Sequence, residues 1–93
     1  MSLVKILEGL VTKSVHTRNY RQFLKLLIEV RKDAGVTQEQ LARRLNRPQS
    51  FVSKCENGER RVDIVELMEI LQSIGVEPIP FIKRIVRSTS DNH

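Results

Sequence analysis

The stretch "TQEQLARRLNRPQSFVSKCENGERR", Thr37 to Arg61, decides the fold of this chain. Apolar residues recur three or four positions apart on both sides of Asn46-Arg47-Pro48, which indicates two short helices joined by a tight turn. Asn46 is expected to adopt a positive φ there, since asparagine tolerates the left-handed region better than most residues. This spacing is typical of a helix-turn-helix. Leu41, Leu45, Val52 and Cys55 are expected to form the inward face, and Ala42 is expected to lie where the two helices approach closely.

The apolar spacing continues outside this stretch, and no segment alternates in the way that predicts a strand. Gly35, Asn57-Gly58 and Gly75 mark helix ends, and Thr37 with Gln40 has the spacing of a capping box. We therefore predict an all-α, compact five-helix bundle, with helices near 19–34, 37–46, 49–57, 63–74 and 78–87. The stripe of the last helix is predicted to be either core or a dimer seam, and consists of Ile79, Ile82, Ile85 and Val86.

The bulk composition favours a globular, basic protein. Its 93 residues suffice for one domain, and a net charge of +5 beside 40% hydrophobic residues suggests anionic partners first. The one cysteine, Cys55, is expected to be a small buried apolar residue in a cytoplasmic protein. Lys5 and Glu8 interrupt the apolar N-terminal run, so neither a signal peptide nor contact with a membrane is expected.

The chain is predicted to divide into three parts. Residues 1–17 form an N-terminal extension that is an extra helix, an oligomer contact or a tail, and the sequence does not choose among them. Residues 18–87 form the helix-turn-helix domain. Residues 88–93 lack apolar side chains and are predicted to be a disordered tail.

No catalytic chemistry is expected from this sequence. The carboxylates have no companion nucleophile or base at a suggestive spacing, and there is no Gly-rich phosphate loop. His16 and His93 have no companion ligands, so no metal site is predicted. We therefore expect no catalytic residue, no metal and no cofactor.

Several motifs in register resemble one known family. Arg31, Gly35, "TQEQLARRL", "QSFVSKCENG" and "LMEILQSIGV" together are similar to the Cro/repressor-type (XRE-like) helix-turn-helix family of bacterial and phage transcription regulators. The similarity covers residues 20–75 and implies the lambda-repressor-like bundle. Two positions depart from the family pattern: Asn46 replaces the usual Gly, and Pro48 stands where Ser or Thr often caps the recognition helix.

The resemblance implies that the helix from Gln49 to Asn57 lies in the DNA major groove. Its side chains suit that role, because Gln49 can pair with the N6/N7 edge of adenine and Lys54 can reach guanine or a phosphate. Phe51 remains undecided between the core, a partner contact and DNA. The predicted base contacts are Gln49, Ser50, Ser53 and Lys54.

Phosphate contacts are expected on either side of that helix. Between Arg43 and Arg61, six Lys and Arg stand against two Glu, a net charge of +4. Gln38 lies at a helix start, where exposed amides and a partial positive charge suit a phosphate, and its side chain is expected to be unengaged. The predicted phosphate contacts are Gln38, Arg43, Arg47, Arg60 and Arg61. The resemblance also implies an internal ion pair between Arg31 and Glu56 that supports the recognition helix.

These features predict a sequence-specific DNA-binding transcriptional regulator that acts as a repressor. The expected partner is double-stranded DNA, bound by a homodimer on a palindromic operator with recognition helices about 34 Å apart. Two alternatives stay open. One is the antitoxin of a toxin/antitoxin pair, with a toxin protein as partner, and the other is a protein-interaction module that no longer reads DNA.

Overall fold

The computed structural model describes Leu3 and residues 17–90, and the part of the chain from 17 to 90 is entirely helices and short connections. This confirms the all-α prediction. The five helices are α1 (Arg18–Asp33), α2 (Gln38–Leu45), α3 (Gln49–Asn57), α4 (Ile64–Ser73) and α5 (Pro78–Ser90). The starts of all five lie within one residue of the predicted positions.

Side chains cap three of the helix starts. The Thr17 hydroxyl accepts a hydrogen bond from the Tyr20 amide at 3.2 Å and so begins α1. Thr37 and Gln40 form the predicted capping box at α2, and Asp63 forms a second one with Glu66 at α4. These bonds satisfy amides that have no partner within the helix.

The turn between α2 and α3 has the predicted backbone conformation. Asn46 lies in the left-handed region, with φ 57° and ψ 46°, and the Arg47 amide donates to the Ala42 carbonyl at 2.9 Å. Ala42 is buried, so the two helices approach closely at this small side chain. Pro48 begins α3 without any side-chain capping bond, because proline has no side-chain acceptor.

The core is built from all five helices. Its largest fully buried side chains include Tyr20, Phe23 and Phe81, and the Phe23 and Phe81 rings meet edge to face at 6.3 Å. The Tyr20 hydroxyl accepts a hydrogen bond from the Val62 amide at 2.9 Å and so ties α1 to the segment after α3. Within the described residues, α5 packs on α1 and α4 and does not contact α2 or α3. The helix-turn-helix therefore occupies one side of the bundle.

The C-terminal end of α5 corrects one expectation. The helix continues to Ser90, so residues 88–90 are helical rather than part of a tail. Thr89 is buried and its hydroxyl donates to the Ile85 carbonyl at 2.8 Å, which lets a polar residue lie against the core. The predicted stripe is divided: Ile85 is core, whereas Ile79 is exposed.

Some predictions fall on residues that the structure does not describe. They concern the extension, apart from Leu3 and Thr17, the end of the tail at 91–93, and the two histidines. Among the described residues, no helix is both long and apolar enough to cross a membrane.

Candidate nucleic-acid interface

Helix α3 is held in place by contacts with both α1 and α2. Its inward face consists of Val52, Cys55 and Glu56, all buried. Burial raises the pKa of the Cys55 thiol, so the neutral form is favoured and the residue acts as a packing group, as predicted. The opposite face of α3 points away from the bundle.

That outward face carries the predicted base-contact residues. Gln49, Ser50 and Lys54 are exposed, and Ser53 is half-buried beside them, with its hydroxyl donating to the Ser50 carbonyl at 3.3 Å. Together they offer amide, hydroxyl and ammonium groups on the first two turns of one short helix. These groups are the ones that hydrogen-bond base edges in a major groove.

Asn57 also belongs to this face, and the sequence interpretation did not include it. It is exposed and lies seven residues after Ser50, which places both on one side of α3. Its side-chain amide donates to Glu59 at 3.3 Å. The helical period pointed to this residue, but Asn57-Gly58 was interpreted only as a stop signal.

Beneath α3 lies a buried ion pair. Arg31 Nε donates to Glu56 Oε2 at 2.6 Å and Arg31 Nη2 donates to Glu56 Oε1 at 2.9 Å, which is the pairing that the resemblance implied. Arg31 Nη1 also donates to the Val36 carbonyl at 2.7 Å. Because both charged groups are buried, each depends on the other for compensation. The pair connects α1, the start of α2 and the end of α3.

Gln38 is engaged in this network, which corrects the expectation of an unengaged side chain. Its Nε2 donates to Glu56 Oε1 at 2.9 Å. This contact fixes the orientation of the amide at the first residue of α2. Any hydrogen bond from Gln38 to a phosphate would therefore use the remaining side-chain N–H, or would come from the backbone amide of the helix start.

Exposed arginines lie in the parts of the chain that precede and follow α3. Arg43, Arg47 and Arg61 are all exposed, and Arg43 lies 3.4 Å from the Glu39 carboxylate on the same helix. Arg44 is exposed as well, but its Nη1 donates to the Ser73 carbonyl at 2.8 Å and so joins α2 to the end of α4. Three of the predicted phosphate contacts are thus exposed, one on α2 and two in the segments that precede and follow α3.

Arg60 differs from these three. Its guanidinium makes two hydrogen bonds to the Glu66 carboxylate, at 2.9 and 2.8 Å, and another to the Arg61 carbonyl at 2.8 Å. The hydrogen bonds from Arg60 lower the pKa of Glu66, and the same bonds raise the pKa of Arg60. A phosphate contact by Arg60 would require one guanidinium to serve both partners.

Phe51 lies between the core and this cationic surface. The ring is half-buried and packs against the core, and two guanidinium carbons lie over it, that of Arg47 at 4.7 Å and that of Arg60 at 4.8 Å from its centroid. Cations over an aromatic ring are attracted by its negative face. The ring therefore has partners within the protein, namely the core and two guanidinium groups.

Comparison with known proteins agrees with this geometry. A family model described as a helix-turn-helix domain matches residues 22–78. An XRE-family like protein from Pseudomonas syringae pv. tomato superposes with a TM-score of 0.75 and 47% identity, over 81% of this chain and 92% of that one. The chain belongs to the XRE-type helix-turn-helix family.

Two further likenesses agree with the helix-turn-helix fold. An uncharacterized HTH-type transcriptional regulator, y4dJ, from Sinorhizobium fredii is 30% identical over 53 residues, which are 57% of this chain and 69% of the relative. A mutant restriction-modification controller protein superposes with a TM-score of 0.72 over 83% of this chain and 98% of that one. At 22% identity, the second likeness bears on the fold alone. Like y4dJ, this XRE-type chain is a helix-turn-helix transcriptional regulator.

Proposed function

We propose that this regulator is a sequence-specific DNA-binding repressor that works in the cytoplasm as a homodimer on a palindromic operator. The observation that carries the proposal is the outward face of α3, where Gln49, Ser50 and Lys54 are exposed while the opposite face is locked into the bundle. Polar groups on a rigid helix can be aligned with base edges without a large entropic cost. The protein would repress by occupying promoter DNA, with no catalytic step and no cofactor.

Phosphate contacts would hold α3 at the correct depth and register in the groove. Arg43, Arg47 and Arg61 supply exposed cations, and the start of α2 supplies backbone amides and the positive end of a helix dipole. These contacts do not distinguish sequences, so they set affinity, whereas the face of α3 sets specificity. Substitutions in the two groups of residues are therefore expected to have different effects on DNA binding.

The small size of the reading surface supports the proposed homodimer. One α3 of nine residues presents only a few base-contacting side chains, which can specify a short half-site. Two copies related by a two-fold axis would read both halves of a palindrome about one helical turn, roughly 34 Å, apart. A single copy would leave too many matching sites in a genome for useful discrimination.

The test is selection of bound duplexes from a random pool, followed by titration of the enriched site at several salt concentrations. We expect a symmetric site and a plot of log K against log salt whose slope is about −0.9 per phosphate contact. An enriched site without symmetry would contradict the dimeric proposal. A flat plot together with no preference over random duplex would contradict DNA binding itself.

Two substitutions distinguish the proposed base contacts from the proposed phosphate contacts. Gln49→Ala should weaken operator binding by about 1 to 3 kcal/mol and relax the preference at one base pair in each half-site. Gln38→Ala should weaken binding to all duplexes similarly, and its thermal unfolding must be followed because Gln38 also contacts Glu56. Lys83→Gln is the matched control, since Lys83 is exposed on α5, which does not contact α2 or α3.

A further inference from the structure

The Arg47 side chain differs from the other exposed arginines around α3 in how it is held. Among the described residues, the Arg47 guanidinium donates no hydrogen bond within the protein, and its close contact is the Phe51 ring. A stacked guanidinium keeps its N–H donors available for a second partner. Phe51 is the third residue of α3, so the guanidinium over its ring lies at the N-terminal end of that helix.

A continuous set of contacts fixes the ring that holds Arg47. Phe51 packs against the core and also lies under Arg60. Arg60 is fixed by its two hydrogen bonds to Glu66, and Glu66 is itself fixed because its carboxylate accepts from the Asp63 amide at 3.0 Å. The position of the ring is thus determined by α4 as well as by α3.

Electrostatics makes this arrangement tolerable. Two arginines close to one ring would repel each other, but the Glu66 carboxylate compensates the charge of Arg60 directly. Arg47 also contributes to the field that lowers the pKa of Glu66, so the carboxylate attracts both cations. A long cationic side chain normally loses much rotamer freedom when it binds a phosphate, and contact with a fixed ring removes part of that freedom beforehand.

We propose that Phe51 is a positioning residue, whose ring, backed by Arg60 and Glu66, orders the Arg47 guanidinium for a DNA phosphate at the start of α3. The inference rests on the proposed DNA binding and adds separate roles for two residues: Arg47 contacts the phosphate, and Phe51 orients Arg47. Phe51 touches no base and carries no charge. Its effect on DNA passes through Arg47.

The experiment is a double-mutant cycle on operator duplex with the full chain: wild type, Phe51→Leu, Arg47→Gln and the double variant, each titrated at several salt concentrations. Leucine keeps an apolar group against the core and removes the aromatic face. Phe51→Leu should weaken binding about threefold, as expected for loss of one exposed cation–π contact. Arg47→Gln should make the salt slope shallower by about 0.9.

The decisive comparison is the effect of Phe51→Leu when Arg47 is already glutamine. If Phe51 acts through Arg47, adding Phe51→Leu to the Arg47→Gln variant changes the affinity for operator very little. Phe51→Tyr keeps the aromatic face and is expected to bind as the wild type does. Equal losses from Phe51→Leu in both backgrounds would overturn the proposal, and so would an unchanged affinity in the single variant. Lys83→Gln controls for a general loss of charge.

Two further outcomes are distinguished by the same set of proteins. If the wild type shows no preference for its selected site, the proposed function is refuted. If the wild type binds well but the losses in affinity from the two substitutions are additive, only the positioning role of Phe51 is refuted. If the Phe51→Leu variant does not fold, the test uses the NMR chemical shift of the Arg47 Nε–Hε group in the wild type instead. Ring-current displacement of that resonance, with a further shift on adding operator, supports the proposal, and an undisplaced resonance contradicts it.

Discussion

Two arginine–glutamate pairs support the recognition helix α3, and they differ in their access to solvent. Arg31 and Glu56 are 8% and 4% exposed in their side chains, beneath α3, whereas Arg60 and Glu66 are 40% and 11% exposed, beside it. Both pairs have two hydrogen bonds between guanidinium and carboxylate. The chemistry is therefore similar, and the environment is what separates their roles.

Burial decides what an ion pair contributes to a protein. A buried charge has lost its water, so removal of its partner leaves a large uncompensated cost. A partly exposed pair is screened and contributes less to folding, but it can hold side chains at the surface where a ligand binds. The first pair is thus expected to govern stability, and the second to shape the candidate interface.

The largest effect is expected from breaking the buried pair. Glu56→Gln keeps the shape and an acceptor for Gln38, but leaves the Arg31 charge without compensation. The free energy of unfolding should fall by about 3 to 5 kcal/mol, measured by urea denaturation. The control is Arg31→Met combined with Glu56→Gln, which removes both charges and should recover part of the loss. If the unfolding free energy of Glu56→Gln lies within about 1 kcal/mol of the wild-type value, the two ion pairs do not differ as proposed.

A smaller effect is expected from the partly exposed pair. Glu66→Gln should lower the free energy of unfolding by about 1 kcal/mol at neutral pH, because solvent screens Arg60. Glutamine retains an oxygen that can accept from the Asp63 amide, so the helix cap is preserved. Urea denaturation beside the Glu56→Gln variant makes the comparison direct. A loss as large as that of Glu56→Gln would mean that solvent exposure does not set the difference.

The pH dependence of the unfolding free energy also reports on the Arg60–Glu66 pair. Hydrogen bonds from Arg60 hold the pKa of Glu66 below its ordinary value, so the carboxylate stabilises the folded state at neutral pH. That contribution is lost as the pH falls from about 4, the range of an unfolded glutamate, through the lower folded pKa. The difference in unfolding free energy between wild type and Glu66→Gln should therefore narrow in acid. A difference that stays constant down to pH 3 would contradict this linkage.

The sequence predicted the parts of this site that depend on local rules. The left-handed turn at Asn46 and the capping box of Thr37 with Gln40 each involve residues at most three apart, so residue type and spacing were sufficient. The capping box of Asp63 and Glu66 had the same local signature and was overlooked. The buried pair joins residues 25 apart and was expected only through a family resemblance.

The remaining features depend on packing that no local rule describes. The engagement of Gln38 requires Glu56 to be turned towards the start of α2. The Arg60 guanidinium over Phe51 requires the loop after α3 to fold back over that helix, whereas the Arg47 guanidinium reaches the ring from the turn before it. Thr89 is buried because α5 lies along α1, although its sequence neighbours are polar. In each case, the outcome depends on partners that belong to different elements of the fold.

The smallest effect on folding should come from a third ion pair, and it should have the opposite effect on DNA. Arg43 and Glu39 are 72% and 66% exposed, one turn apart on α2, so Glu39→Gln should cost no more than about 0.5 kcal/mol in unfolding free energy. The same change removes a negative charge beside a proposed phosphate contact. Operator binding at low salt should then tighten by about twofold, and the gain should diminish as salt screens it. Arg43→Gln, the matched control, should weaken binding. If Glu39→Gln weakened binding instead, Arg43 would not face the DNA, and the charged edge of the interface would have to lie with Arg47 and Arg61.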